Sequence, residues 1–357
     1  MSTDENISAE DRYRGQRDYW RQVAESDGFD LEDISVPSYM YGNITGLIPV
    51  DCQSYYSYRV MVQRYAKLGL HRYNMLEGTR FELDSLIKFN FSPSHLASYY
   101  MTFLAHDQDP AGSTLQKTFQ VRVDEKEFRC LDLGCSIARL KHEVTTRKPF
   151  VPHFHGGAVG DGIFKGELPD WPSDDDFHDG KRFYMVKESE WQATAWISMY
   201  LELVICANDR SIIRLPQQQS DEILSKLKIV KVAIETGIED VEPSNENERL
   251  NAKSVNVYIT YKGLTELQVF KHVFEIGEHV ERKAIVRRVI DEHTGNLTLL
   301  GKLCGGQYAK PKWPPGVESP VKSPPGVESP VESPPGVESP VESPPGVESC
   351  KKRPRIG

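Results

Sequence analysis

Three stretches of the chain place apolar side chains at helical spacing. Between Ser57 and Asn74 (SYRVMVQRYAKLGLHRYN), the residues Val62, Tyr65, Ala66, Gly69, Leu70 and Tyr73 recur three or four positions apart. That spacing sets them on one helical face, and Asn74 and Gly78 are residues that end helices. Between Ser8 and Glu25, Tyr13, Tyr19, Trp20 and Val23 form a partial stripe behind a capping serine. This predicts a short arm helix, marginal alone and in need of a surface to dock on. From Glu188 to Asn208 (ESEWQATAWISMYLELVICAN) the text is nearly apolar all round, so this helix is expected to be buried on most sides. Its length, together with Gln192 and Glu202, argues against a membrane span.

Strand-like runs follow each of the two long helical stretches. After the first come residues 81–90, 99–105, 118–123 and 128–140; after the second come 227–234, 254–261, 268–276, 284–290 and 297–303. Val255, Val257, Ile259 and Tyr261 alternate with polar neighbours, as in a half-buried strand. Consecutive strands joined by turns pair antiparallel, and one helix can cover one face of such a sheet. The fold class is therefore α+β, built as two similar halves: residues 42–147 and 182–306, behind an N-terminal helical arm, 1–41. The stretch 148–181, holding VPHFHGGAVGDG and LPDWPSDDDFHDG, is rich in Gly, Pro, Asp and His and reads as an inter-domain linker or long loop. Residues 307–357 carry a ten-residue repeat (PPGVESPVES) with valine as its sole apolar side chain. Such text cannot bury a core and is expected to be disordered, partly polyproline II.

Composition narrows the function classes. Lys plus Arg number 43 against 52 Asp plus Glu, for a formal net charge of −9, a poor balance for wrapping a nucleic-acid backbone. The opening MSTDENISAED is acidic and has no apolar core, which predicts neither a secretory nor an organelle leader. Six scattered cysteines without a CxxC pair point to reduced thiols, in the nucleus or the cytoplasm. Cys130 and Cys135 lack a second pair to complete a zinc site.

Candidate chemistry is sparse. His153 and His155, with Asp174, Asp175, Asp176, His178 and Asp179, are residue types that suit zinc or manganese; a solvated polar loop is the plainer reading of the same text. The run His155-Gly-Gly-Ala-Val-Gly-Asp-Gly lacks the Lys-Ser/Thr of a phosphate-binding loop, and the chain has no Gly-x-Ser-x-Gly elbow. No catalytic residue, cofactor or metal is assigned, and the chain is expected not to be an enzyme. The tail holds the strongest local signals. Ser319, Ser323, Ser329, Ser333, Ser339 and Ser343 each precede proline and suit a proline-directed kinase. The cluster Lys351, Lys352, Arg353, Pro354 and Arg355 suits nuclear import through an importin.

Two sets of motifs carry a resemblance. Tyr65-Ala-x-x-Gly-Leu-x-x-Tyr-Asn74, Gly78-Thr-Arg-Phe-Glu-Leu and Tyr99-Tyr-Met-Thr-Phe-x-Ala105 resemble the helix and first hairpin of plant cystatins. Phe29 in Gly-Phe-Asp, the Tyr41–Val50 stretch, Trp191 to Asn208 and Phe274 to Gly306 are similar to a crucifer-rich plant family of the cystatin/monellin superfamily. That family includes male-sterility and embryo-defective members, and the likeness spans roughly residues 10–306. It implies two cystatin-like halves, each a helix on a curled sheet. Protease inhibition does not follow. Asn90–Ser98 has no Gln-x-Val-x-Gly, and the chain has no Pro-Trp dipeptide; function sits in such loops and not in the sheet. The resulting expectation is a non-catalytic protein-interaction protein in reproductive (male fertility, meiosis) or embryo development, making contact through a sheet edge or loop tips. The alternative is an enzyme or a small-ligand or metal binder using the 153–179 loop; a cysteine-protease inhibitor ranks third.

Overall fold

The computed structural model describes residues 7–42, 46–53, 56, 58–94, 96–108, 116–143, 150–154, 156–237, 246–263 and 279–304. The expected strand at 268–276, His155, the Ser-Pro serines and Lys351–Arg355 lie outside the described residues.

The first half opens with α1 (Ala9–Glu25), α2 (Ser38–Gly42), β1 (Ile48–Asp51) and α3 (Arg59–Glu77), followed by β2 (Phe81–Phe91), β3 (Ser98–Asp107), β4 (Lys117–Glu125) and β5 (Leu131–Leu140). The second runs β6 (Phe183–Val186), α4 (Glu188–Ala193), α5 (Ala195–Asn208), α6 (Gln217–Ser225), β7 (Lys228–Glu235), α7 (Glu246–Asn251), β8 (Val255–Lys262), β9 (Arg282–Ile290) and β10 (Leu297–Cys304). The α+β class is as expected; α3 leads straight into β2–β5 in the first half, while in the second α4, α5 and α6 precede β7 and α7 stands between β7 and β8. The long helix expected over 188–208 is two helices, parted at Thr194, whose backbone leaves the helical region at φ −113°, ψ 84°.

The halves share one ten-stranded antiparallel sheet, ordered β1-β2-β3-β4-β5-β10-β9-β8-β7-β6. β5 and β10 form the seam, pairing Leu297 with Cys135 through to Gly301 with Leu131. Both long helices lie on one face. α3 and α5 touch each other, with Arg64 Nε donating to Glu202 Oε2 at 2.8 Å. A single hydrophobic cluster contains Tyr65 and Leu68 of α3, Tyr200 and Val204 of α5, and Val121, Val257 and Val286 from both halves of the sheet. α5 is apolar all round because α3 and the sheet enclose it.

α3 ends as its sequence dictates. Gly78 takes the left-handed conformation at φ 67°, open to glycine without a steric penalty. The Asn74 amide then ties helix to strand: Nδ2 donates to the Phe81 carbonyl, and Oδ1 accepts from the Phe81 amide, each at 2.9 Å.

The opposite face is covered by chain without long helices of its own, α1 excepted. On the first half, Tyr19, Val23, Phe29, Met40 and Leu47 pack on Tyr100. On the second, Phe177, Leu168 and Trp171 pack on Tyr258, Ala233 and Ile285. Of the two readings of 148–181, linker or long loop, the described residues fit the long loop. The described part of that stretch does not separate two domains but lies along the back of a continuous sheet. Arg287 of β9 pins it there with four guanidinium N–H groups and spends the fifth on β8. Nε donates to Asn256 Oδ1 at 2.9 Å; Nη1 donates to the carbonyls of Phe164 and Gly166, and Nη2 to those of Ile163 and Glu167, at 2.9–3.2 Å. The run read as linker-like is thus backbone-rich text whose carbonyls an arginine can collect.

Candidate interaction groove

Among the described residues, the titratable side chains singled out in the sequence do not converge. Asp176 begins a 3-10 turn, Asp176–His178. Its Oδ2 accepts from the amide and hydroxyl of Ser173 at 2.9 and 2.7 Å, which hold its carboxyl below the usual range. Asp174, Asp175 and His178 are exposed, while Phe177 between them is buried. The pattern DDDFHD anchors one phenylalanine and leaves its acids in water. Among the described residues, no group of three or more His, Cys, Asp or Glu side chains is placed to hold a metal ion.

The glycine run is a strap across the seam. A Cβ on Gly157 would lie 2.4 Å from Lys126 Nζ and 2.7 Å from Thr298 Oγ1, so a side chain there would have to displace both groups. The Ala158 amide donates to Thr298 Oγ1 at 2.6 Å. Asp132 lies 4.0 Å from Lys126, and Asp124 faces the same ammonium. Asp124 is itself paired with Arg122 at 2.9 Å, so the charges around Lys126 are already matched within the protein. The buried carboxylate Glu235 is likewise committed: it accepts from Arg182 Nε at 2.5 Å, Asn256 Nδ2 at 2.8 Å and the Tyr258 hydroxyl at 2.6 Å.

The sheet's outer strands are poor templates for strand addition. β1 is four residues long with Pro49 inside it, and proline has no N–H to offer a new strand. Beyond β1, β2 shifts register between Leu83 and Ser85 and again between Leu86 and Lys88. At the other edge, β6 pairs with Val232–Glu235 alone, leaving the lysine-bearing start of β7. Short strands, proline, bulges and lysines are the devices that blunt an edge.

A groove opens beside the β1 edge, with a volume of about 780 Å³. The loop after α1 supplies Leu31, Ile34 and Val36; the run Gly46–Asp51 forms the facing wall, and Tyr19, Met40 and Asn90 contribute the floor. Its walls are mostly apolar, the usual character of a binding site of this size.

The sequence builds these walls locally. The Ser8 hydroxyl caps α1 by accepting from the Asp11 amide at 3.1 Å, and acidic Glu10 and Asp11 suit the first turn. At its far end Gly28, at φ 84°, turns the chain back toward the sheet. A Cβ on Gly28 would meet the Tyr100 ring at 2.8 Å. Asn90 Nδ2 then receives the loop, donating to the carbonyls of Gly28 and Phe29 at 2.7 and 2.9 Å. The Leu47 amide donates to the Tyr19 hydroxyl at 2.9 Å, which fixes the opposite wall.

Charge fixes the rest. Arg139 Nη1 meets Asp27 Oδ2 at 2.7 Å. Lys88 Nζ meets Asp30 Oδ1 at 2.7 Å and also Glu32. Burial pushes the Asp30 and Glu32 carboxyls up, but the Lys88 ammonium outweighs it and holds both below their ordinary range. Burial also opposes the charge on Lys88, yet its two carboxylates raise it above the usual lysine value. Depressed carboxylates hold their contribution at neutral pH and lose it as pH falls through their folded pKa; the raised lysine loses its own only in strong alkali. The arm is therefore tied down across the neutral range.

Sequence reasoning predicted the arm helix and missed the groove. Its available signal was the set Leu31, Ile34 and Val36, three apolar residues standing singly in the acidic text DLEDISVP.

Comparison with known proteins agrees with this architecture. The family model described as Protein MS5 matches residues 168–299. UPF0725 protein At1g23950 of Arabidopsis thaliana is 56% identical over 359 residues, covering 87% of this chain and 94% of that protein. The chain belongs to the UPF0725 family. The UPF0725 protein EMB2204, also of Arabidopsis thaliana, is 44% identical over 290 residues, covering 80% of this chain and 79% of that one. Among solved structures, MS5 from Brassica napus superposes on this UPF0725 chain with a TM-score of 0.50 at 30% identity, covering 69% of this chain and 99% of that chain.

Proposed function

We propose that this UPF0725 protein is a non-catalytic protein-interaction module in plant development, and that the groove between the arm and β1 is its contact surface. Kinship with MS5 and EMB2204 supports the developmental setting. The male-fertility and embryo roles implied by the sequence resemblance are the finer form of the proposal. A helix lying on an antiparallel sheet in each half supports the cystatin/monellin grouping. The observation that carries the interaction reading is the pairing of an open apolar groove with titratable clusters engaged elsewhere. Glu235 has its donors, and the 171–179 acids flank a structural turn. The test is photo-crosslinking from the groove: a benzoylphenylalanine at position 48, where Ile48 is 41% exposed, should yield a discrete adduct in flower-bud extract.

The tail belongs to the same proposal. Lys351, Lys352, Arg353, Pro354 and Arg355 form an import signal read by an importin, giving the protein a nuclear as well as a cytoplasmic pool. Phosphorylation at Ser319, Ser323, Ser329, Ser333, Ser339 and Ser343 adds about −1.5 to −2 charges per site and weakens that signal. Deleting residues 351–357 from a fluorescent fusion, enlarged beyond passive entry, should lower the nuclear share. An unchanged share removes the import role.

A further inference from the structure

If the groove is the contact surface, its chemistry limits what can enter. The side chain of Lys88, the cation in its lining, is 18% exposed and engaged by Asp30 and Glu32. The Glu32 side chain, by contrast, is 61% exposed, and Asp51, which also lines the groove, is exposed, as is Asp33 between the lining residues Glu32 and Ile34. The groove thus shows water an apolar interior with carboxylates at its mouth. An anionic or acidic partner would be repelled; apolar side chains flanked by Lys or Arg would be attracted. Pro49 and the brevity of β1 disfavour a partner added as a strand, which leaves recognition to side chains. The wall Gly46–Asp51, of which Ile48–Asp51 is strand, spans at most roughly 17 Å at strand rise. That length matches about eleven residues, three turns, of a helix, and an amphipathic helix laid in an apolar groove is an established recognition mode.

We propose that the groove binds a basic amphipathic helix of a partner protein, about three turns long, with its apolar face between Ile34, Val36 and Ile48 and its cations toward Glu32, Asp33 and Asp51. The partner's apolar residues fall at i, i+3, i+4 and i+7, and its Lys or Arg residues border that stripe.

The test uses the full chain and two fluorescein-labelled 14-residue peptides with the same leucine pattern, one completed with lysines and the other with glutamates. Fluorescence anisotropy at physiological salt should show saturable binding of the Leu/Lys peptide, at least about ten-fold tighter than the Leu/Glu peptide. The paired reversal Asp33→Lys with Asp51→Lys should weaken the Leu/Lys peptide by about ten-fold. The same charge change at Asp174→Lys with Asp175→Lys, on the other half, should leave it unaltered. Ile48→Ser should weaken both peptides, because it removes apolar area without changing charge. Equal weakening by both reversals would mean that the chain's overall negative charge does the attracting, and would overturn the proposal. So would equal binding of the two peptides. A position-48 adduct in extract, without preference for the Leu/Lys peptide, would refute the basic helix and leave the groove standing; absence of the adduct refutes the groove itself.

Discussion

Gly69→Ala is expected to destabilise the protein by about 2 kcal/mol, read as a lower midpoint in urea, although alanine is the better helix former by about 1 kcal/mol. Gly69 sits in the middle of α3, where the helix comes down on β4. A Cβ there would lie 2.2 Å from Val121 Cγ1, 2.5 Å from Cγ2 and 2.9 Å from Cβ. No rotamer of a β-branched side chain clears all three, so α3 must lift from the sheet. Overpacking of this kind typically costs about 1–3 kcal/mol, and α3 carries Tyr65 and Leu68 into the core shared by both halves. Val121→Ala alone should also destabilise, by leaving a cavity. The double variant Gly69→Ala/Val121→Ala should recover part of the loss, since the added methyl fills the space vacated. If the two effects simply add, the close approach of helix and sheet at this point is wrong.

The second large effect is acid sensitivity centred on His71. Arg288 of β9 is wholly buried, and among the described residues no carboxylate pairs with it. Its Nη1 donates to His71 Nε2 at 3.0 Å, its Nη2 donates to the carbonyls of Leu250 and Ala252, and it lies over the Trp196 ring at 4.7 Å. His71 stacks on Trp196 with ring centroids 5.6 Å apart. Burial, and then the neighbouring guanidinium, keep the imidazole neutral and push its pKa well below 6.5. The unfolded chain therefore binds this proton first as pH falls. Stability from His71 is full above about pH 6.5 and declines below it by up to about 1.4 kcal/mol per pH unit, until the folded pKa is reached. Melting temperatures measured from pH 7 to pH 5 should fall in the wild type. His71→Gln, whose amide oxygen can still accept from Arg288, should flatten that dependence over the same window, ahead of the losses from Asp30 and Glu32 at lower pH. An unchanged slope would show that His71 is not the titrating group.

How far the sequence could be read depends on what each signal reports. Periodicity reports burial, so the stripe Val62–Tyr73 and the alternation Val255–Tyr261 gave their elements directly. It also showed α5 as buried, though not by what, because enclosure by α3 and the sheet is a long-range fact. The break at Thr194 escaped because threonine continues a helix well enough when packing allows it. The stretch 148–181 misled for a physical reason: glycine, proline and aspartate mark both linkers and close-fitting straps. Partners more than fifty residues away in sequence, Arg287, Thr298 and Tyr258 among them, distinguish the two. The groove was less legible still. It arises where Gly28 turns the arm back and Asn90 receives it, and neither residue announces a surface by its type. The acidic text around Leu31 was visible as charge, but its role as a rim required the facing wall of β1.

The most direct test of the account is crosslinking from one wall of that groove. Purified full-length chain carrying benzoylphenylalanine in place of Ile48 should give a discrete adduct in flower-bud extract, and Val36→Arg should abolish it. The same probe in place of Val159, which is 74% exposed on the seam strap, should give none. Equal labelling from positions 48 and 159, or an adduct at 48 indifferent to Val36→Arg, would contradict a partner seated between the arm and the edge strand.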